Sequence, residues 1–250
     1  MFPFVCPLNN CFENVKSIGT KSVSSATQVL LLHTQSSMRF LVIDFETTGV
    51  GKDATNGYRS YLPNLAPLPR ADYPVQLAAE LLDEKGDVLA STQMLIVGAE
   101  RLDPWVLEHC PNLSVHECER EGVSLSEAIR TLTDLIGDDD LCTLVAHNIQ
   151  YDWDAVMLRT ARDLNIDKTA DFLKLASLTR YCTCINRETK RAKTSYFFSK
   201  LGKWIGPKLG DLAKECGVEY NTDSAHDAAY DVRVTSSCLA KQLKEGVSIL

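Results

Sequence analysis

The chain has 250 residues, of which 45% are hydrophobic and 24% are charged, with a net charge of −7 at neutral pH. This is enough apolar material for one sizeable core but not for two independent ones. The nine cysteines are scattered and odd in number, which excludes a regular disulfide framework and favours a reducing compartment, with the cytoplasm as the expected location. Cys182 and Cys184 lack a second Cys/His pair at zinc spacing, so we expect buried free thiols there.

The first 37 residues differ from the rest of the chain. They contain one acid, Glu13, many Ser, Thr and Asn residues, and a short apolar run at 29–32 that is too brief to cross a membrane. The low acid content is typical of an organelle transit peptide, but the segment has two lysines and no arginine. We expect a leader outside the fold, or an upstream start with Met38 as the functional first residue.

The predicted sheet begins at residues 40–43, which are apolar on both faces, as in a central strand covered on both sides. A stretch rich in Gly, Pro and Asn, residues 49–74, follows. The apolar runs 75–82 and 88–97 flank a turn at 83–87 and predict a hairpin that runs antiparallel beside the first strand.

Strands and helices alternate in the second half of the chain. Ser124 is predicted to cap a helix that ends near Ile136, with Glu127 completing a capping box. The further predicted elements are strands at 141–146 and 178–182 and helices at 151–164, 208–216 and 227–244. Because alternation implies parallel pairing, the predicted fold is α/β, a mixed five-stranded sheet flanked by helices.

Two carboxylates close the first predicted strand. Asp44 and Glu46 are two residues apart, so they point to one face while Phe45 points to the other. This geometry suits a shared cation, and Gly49 in the following turn lets backbone approach a ligand closely. Strands that enter polar turns often carry acids, so the pair needs further partners to indicate catalysis.

Two later segments supply candidate partners. Asp152 falls in the first turn of the helix after strand 141–146, where open α/β sheets bind ligands, although a helix dipole also favours an acid there. Asp231 borders the inward stripe of the last helix, and burying its charge is costly without a metal or hydrogen bonds. His226 and Asp231 can face one site only if His226 lies just before the helix.

Together these segments resemble the motifs of DEDDh-type 3′–5′ exonucleases. Residues 44–49 (DFETTG) resemble the first motif, residues 147–152 (HNIQYD) the second, and His226 with Asp231 the third. The family includes the proofreading epsilon subunit of bacterial DNA polymerase III, ribonuclease T and the three-prime repair exonucleases. The resemblance covers about residues 39–245.

The resemblance implies an RNase H-like exonuclease domain over residues 38–250 and two-metal hydrolysis with Mg²⁺ or Mn²⁺. It implies release of nucleoside monophosphates from DNA in proofreading or repair. The implied metal ligands are Asp44, Glu46, Asp152 and Asp231. His226 is the implied general base, because imidazole titrates near neutral pH, although a capping or core histidine is the alternative. The residues implied to hold the terminal nucleotide are Phe45, Thr47, Thr48, Gly49, His147, Asn148 and Tyr151.

Several features bear on the substrate. The family more often has Phe at the position of Tyr151, and the 50–74 stretch is longer than a minimal member needs. The segment 187–208 carries seven basic residues against Glu188, with aromatic residues between them. It either follows a phosphate backbone and stacks on bases or forms a solvated loop.

The expected partner is DNA or RNA with a free 3′ end, preferably single-stranded, and no membrane. An exoribonuclease that trims RNA uses the same carboxylates and differs in its contacts to the 2′-OH, so this alternative stays open. A catalytically silent nucleic-acid-binding module is a third alternative. The polymerase III subunit has a docking segment after its exonuclease domain, whereas this chain stops soon after its last helix, which favours a free-standing nuclease. The oligomeric state stays open.

Overall fold

The computed structural model describes most of the chain after the predicted leader. The described residues are 37–49, 73–138, 141–184, 206–247 and 249, with the backbone of four short strands at 52–53, 57–58, 196–198 and 203–205. The predictions on residues 1–36, on most of the 50–74 stretch and on most of segment 187–208 lie outside these residues.

Strands and helices follow one another much as predicted. The strands are β1 Arg39–Thr47, β2 Lys52–Asp53, β3 Gly57–Tyr58, β4 Pro74–Leu82, β5 Val88–Leu95, β6 Cys142–Ala146, β7 Thr179–Cys182, β8 Tyr196–Phe198 and β9 Lys203–Ile205. The α-helices are α1 Pro104–His109, α2 Val115–Glu121, α3 Leu125–Ile136, α4 Arg159–Asp163, α5 Ala170–Ser177, α6 Leu209–Cys216 and α7 Ala228–Lys244. A π-helix, Gln150–Leu158, precedes α4, and a 3₁₀ turn, Thr222–Ser224, precedes α7.

The frame of the fold is a five-stranded sheet in the order β5-β4-β1-β6-β7. β4 pairs antiparallel with β1 and with β5, whereas β6 pairs parallel with β1 and with β7. The predicted mixed α/β sheet flanked by helices is therefore confirmed. The predicted hairpin is also present, and the carboxylate of Asp83 accepts the N–H groups of Lys85 and Asp87 in its turn.

β1 is covered on both faces, as its apolar run predicts. Leu41, Ile43 and Phe45 pack into the main core with α3, α5 and the π-helix. Phe40 and Val42 point the other way and pack against α7. Burial of each of these side chains contributes about 1.5–3 kcal/mol to stability. Alternation along the strand therefore places Asp44 and Glu46 on the face that α7 covers.

The helix predicted at 151–164 is not regular. It is a π-helix up to Leu158, and only its last turn, Arg159–Asp163, is α-helical. Asp152 and Trp153, which are neighbours in sequence, are both buried in it, each with 2% of its surface exposed. π-Helical turns are frequent at functional sites, which agrees with Asp152 as a candidate site residue.

Three helices, α1, α2 and α5, were not predicted, although the sequence contains a suitable capping residue before each of them. Asp103 caps α1, with Pro104 at its first position. Ser114 caps α2 and exchanges hydrogen bonds with Glu117, which is a capping box. Thr169 caps α5. These helices are short, so their apolar periodicity is weak.

The described cysteines are free thiols, in keeping with the prediction for Cys182 and Cys184, although these two are half-buried rather than buried. Among the helices of the described residues, none is long and apolar enough to cross a membrane.

Candidate active site

Two acids at the end of β1 face the start of α7. Glu46 lies opposite Gln76 of β4 in the sheet register. The side-chain oxygen of Gln76 accepts the N–H of Ala228, the first residue of α7, at 3.2 Å. This buried hydrogen bond joins the helix start to the sheet and so fixes α7 beside Asp44 and Glu46.

Asp152 reaches the same strand from the π-helix. Its Oδ1 accepts the backbone N–H of Phe45 at 3.3 Å. Phe45 is flanked by the two acids of β1, so this contact between residues 107 apart in sequence places a third carboxylate beside them.

Asp231 and His226 come together just at the start of α7. Asp227 caps the helix by accepting the N–H of Tyr230 at 3.0 Å, so His226 lies outside the helix proper. His226 has a left-handed backbone, with φ of 66°, which is uncommon for a residue other than glycine. Its backbone N–H donates to Asp231 Oδ2 at 3.1 Å. His226 therefore lies just before the helix, which is the position that allows it to face the same site as Asp231.

Glu46, His226 and Asp231 form the tightest part of this cluster. Each offers one ligand atom, and the three atoms lie within 4.8 Å of one another. Asp231 Oδ1 is buried and has no hydrogen-bond partner among the described residues. A buried carboxylate oxygen without a partner is costly, and a cation is one group that would compensate it.

All four acids have a raised pKa, and burial is the largest cause in each case. Burial is the largest cause of the raised pKa of Asp44, which lies well above its ordinary value, followed by the negative charges of Asp152, Glu46 and Asp231. Burial raises the pKa of Glu46 and of Asp152 to about 8, and that of Asp231 to about 6. Every neighbouring charge that acts on Asp44 is negative.

These residues fit a divalent cation of the Mg²⁺ or Mn²⁺ kind. Such hard cations prefer carboxylate oxygens, and a buried group of acids is stable in the ionised form only with positive charge nearby. In the part of the chain that the structure describes, no cationic side chain pairs with them. The donor set and the orphaned oxygen of Asp231 therefore both suit metal ions.

Mg²⁺ or Mn²⁺ is expected to stabilise the protein. At a hundredfold excess over its dissociation constant, a cation that binds only the folded state adds about 2.7 kcal/mol. For a domain of this size, this is a rise of about 5–10 °C in the midpoint of thermal unfolding. Differential scanning fluorimetry with the cation and with chelator measures it. Asp231→Asn should reduce the cation-dependent rise in the unfolding midpoint. Asp154→Asn is the control, because Asp154 is an exposed neighbour of Asp152, and this variant should keep the full rise. An equal rise in both variants would contradict the assignment of Asp231 as a metal ligand.

Helix α1 contributes residues to the site that sequence reasoning missed. The thiol of Cys110 lies 3.7 Å from Glu46 Oε2, and burial raises the pKa of Cys110 to about 12. Trp105 and His109 have ring contacts with His226. No spacing rule links these residues to the acids, because only the packing of α1 against the sheet brings them there.

A polar turn braces the end of β1. Thr47 donates its hydroxyl proton to the carbonyl of Gly49, and the Tyr151 hydroxyl lies 2.8 Å from Thr47 Oγ1 and 3.3 Å from the same carbonyl oxygen. Thr48 Oγ1 accepts the N–H of Tyr73 at 3.0 Å. Tyr151, at the position where Phe is more common, thus joins the second motif to the first.

Three further predicted nucleotide-binding residues, Phe45, His147 and Asn148, have other contacts within the protein. Phe45 has its side chain in the main core, on the face of β1 opposite the acids. Asn148 has φ of 80°, and its carbonyl accepts the N–H of Tyr151 at 2.7 Å. Both ring nitrogens of His147 have protein partners: Thr183 Oγ1 lies at 2.9 Å from Nδ1 and the carbonyl of Pro207 at 3.1 Å from Nε2. Because a carbonyl only accepts, Nε2 carries the proton and Nδ1 accepts from Thr183.

His147 is expected to make the stability pH-dependent. Burial lowers its pKa to about 4, against about 6.5 in the unfolded chain, so the folded state holds the neutral ring. The contribution of neutral His147 to the free energy of unfolding is complete above pH 6.5. It is lost as the pH falls towards 4, and the loss at pH 5 is about 1–2 kcal/mol. Denaturant unfolding of wild type and His147→Gln at pH 7.5 and pH 5 measures the difference in free energy. A gap between the two proteins that does not narrow at pH 5 would contradict the prediction.

A cavity of about 290 Å³ opens beside His226. His109, Asn112, Tyr230 and Arg233 are among its lining residues. Its volume is close to the lower end of the range for small-molecule sites, and its lining combines aromatic and polar groups.

No protein-family model and no curated protein match the sequence. Solved structures of exonuclease I match it in fold. One exonuclease I structure has a TM-score of 0.55 and 17% identity, covering 83% of this chain and 41% of that one. Exonuclease I from Methylocaldum szegediense has a TM-score of 0.56 and 16% identity, covering 85% and 42%. The zinc-bound form of the E. coli exonuclease I complex with single-stranded DNA has a TM-score of 0.54 and 18% identity, covering 83% and 41%.

This chain spans about two fifths of the length of those exonuclease I structures. At such identities the likeness establishes the fold. The chain has the α/β fold found in exonuclease I, and the predicted RNase H-like architecture is confirmed. The resemblance that the three motifs indicate is thus confirmed at the level of the fold.

Proposed function

We propose that this protein is a metal-dependent 3′–5′ exonuclease that shortens single-stranded DNA and releases nucleoside monophosphates, in proofreading or repair. The observation that carries the proposal is the convergence of four carboxylates and a histidine from three distant segments of the chain. Asp44 and Glu46 come from β1, Asp152 from the π-helix, and His226 and Asp231 from the start of α7.

The comparisons support the class of substrate. Proteins with this fold include exonuclease I, and the E. coli enzyme has been solved with single-stranded DNA and with a bound zinc ion. A fold alone does not establish an activity, so the proposed activity depends on the acids. Four neighbouring acids, of which Asp152 is buried and the other three are half-buried, are costly to keep in a fold, and metal-assisted hydrolysis is a reaction that requires such a group.

Each residue has a distinct task in the proposed mechanism. Asp44, Glu46, Asp152 and Asp231 would hold two Mg²⁺ or Mn²⁺ ions, which supply activation of the attacking water and stabilisation of the charge on the leaving oxygen. His226 accepts the proton of that water at a ring nitrogen. Desolvation by its surroundings and the nearby His109 lower the pKa of His226, so the imidazole is neutral near pH 7 and able to accept. The residue is exposed, so solvent is close enough to take the proton from it.

A side-by-side digestion tests the proposal. The experiment uses four substrates of the same sequence, each labelled at the 5′ end: single-stranded DNA, double-stranded DNA, single-stranded RNA and double-stranded RNA. Each substrate is digested with Mg²⁺, with Mn²⁺ and with chelator. Single-stranded DNA should be shortened stepwise and fastest, with mononucleotide products, and chelator should stop the reaction. A 3′-phosphorylated strand serves as the control for polarity.

The same experiment separates the alternatives. Faster shortening of the RNA strand would assign the protein as an exoribonuclease, because the same carboxylates serve both reactions and contacts to the 2′-OH decide. Binding of the strand without shortening would identify a catalytically silent module.

A further inference from the structure

The side chain of His226 needs support beyond its own backbone. The backbone is anchored by Asp231, but the residue as a whole is exposed and precedes the helix. The side chain can occupy more than one staggered rotamer, so its neighbours decide which orientation the ring adopts. Among the described residues, its ring contacts are with Trp105, at 5.2 Å between centroids, and His109, at 6.0 Å.

Trp105 and His109 form a stacked pair on α1. Their rings are 4.1 Å apart and nearly parallel, at 14°. His109 Nδ1 lies 2.8 Å from the carbonyl oxygen of Trp105, one turn back in the helix, so Nδ1 donates and the ring is fixed. The fixed imidazole of His109 therefore packs against one face of the Trp105 indole and restricts its movement.

The helix that carries this pair is tied to the end of β1. Asp103 caps α1 and donates its own N–H to the carbonyl of Thr48 at 2.8 Å. Val106 of α1 and Cys110, which follows the helix, lie in a buried apolar cluster. Because α1 is bound to the turn that follows Asp44 and Glu46, Trp105 keeps a constant position relative to the acids.

We propose that Trp105 is a positioning residue for His226, holding the imidazole in the orientation that faces Glu46 and Asp231. The two rings meet edge to face, at 75°, which is a preferred geometry for aromatic pairs. Loss of the indole leaves the imidazole free to rotate into solvent, so that it faces the acids for a smaller fraction of the time. The inference rests on the proposed function, since it assigns Trp105 an effect on the proton transfer at His226.

Kinetics of Trp105 variants on single-stranded DNA test the proposal. Trp105→Ala should lower kcat about tenfold and change KM by less than twofold, because an aromatic contact of this kind biases orientation by roughly that factor. Trp105→Phe keeps an aromatic edge and should restore most of the rate. Leu107→Ala, on the exposed side of the same helix, is the matched control and should match wild type.

A double mutant decides whether Trp105 acts through His226. In the His226→Ala background, Trp105→Ala should cause no further loss, because the group it orients is already absent. An equal tenfold loss in both backgrounds, or an unchanged kcat in Trp105→Ala, would overturn the inference while leaving the proposed function in place.

A spectroscopic measurement is independent of activity. The indole ring current shifts the NMR signals of the His226 ring protons, so these signals should move in Trp105→Ala and stay in place in Leu107→Ala. If wild type shows no nuclease activity, the proposed function fails. The NMR result then still tests whether the Trp105 indole lies against the His226 ring, and unmoved signals in Trp105→Ala would refute the inference.

Discussion

Replacing Asp44 by Asn is expected to lower exonuclease activity by at least about a thousandfold, because about 4 kcal/mol of transition-state stabilisation depends on the metal ions that it helps to hold. The pKa of Asp44 is raised by the negative charges of all three other acids, Asp152, Glu46 and Asp231. Asparagine has the same shape but carries no charge, so it weakens the binding of both cations. Shortening of end-labelled single-stranded DNA measures the loss.

The same variant should fold at least as well as wild type when no divalent cation is present. The raised pKa of Asp44 means that its ionised form is disfavoured in the folded state, and asparagine removes that cost. The free energy of unfolding with chelator tests this point. Asp154→Asn is the control, because Asp154 is an exposed neighbour of Asp152 whose partner is Arg180 at 3.7 Å. Persisting cleavage in Asp44→Asn would contradict the mechanism.

Replacing His226 by Ala is expected to lower kcat by about 10²–10⁴, the usual contribution of a general base. Metal binding should be largely retained, because the four carboxylates stay in place. Titration calorimetry with Mn²⁺ and single-turnover kinetics on single-stranded DNA measure the two properties separately.

His226 has a second possible role, as a metal ligand, and the His226→Ala variant distinguishes it from a role as general base. One of its ring nitrogens lies within 4.8 Å of ligand atoms of Glu46 and Asp231, so a role as a metal ligand is also compatible with the geometry. A large loss of Mn²⁺ affinity in His226→Ala would make it a ligand and refute its role as base. His116→Ala is the control, since His116 is an exposed histidine on α2.

Local patterns predicted much of the frame. The hairpin, the capped helix α3 and the inward stripe of α7 follow from periodicity and capping, and the structure confirms them. The π-helix was not predicted, because the pattern of 151–164 fits a regular helix, and the burial of Trp153 and its neighbours in the main core is visible only in the folded protein.

Local sequence patterns are enough to show which acids can share one face. Alternation along β1 places Asp44 and Glu46 together, and the apolar stripe of α7 turns Asp231 towards the sheet, because both patterns depend only on the local geometry of strand and helix. These inferences are local, so they do not depend on the fold.

The residues that surround those acids depend on how distant segments pack in the folded protein. Gln76 holds the start of α7 against β4, and Trp105, His109 and Cys110 come from a short helix whose position depends on contacts far apart in sequence. His147, which the motif assigns to the nucleotide, has both ring nitrogens bound within the protein. A spacing rule cannot reveal such contacts, because they form only when distant segments pack together.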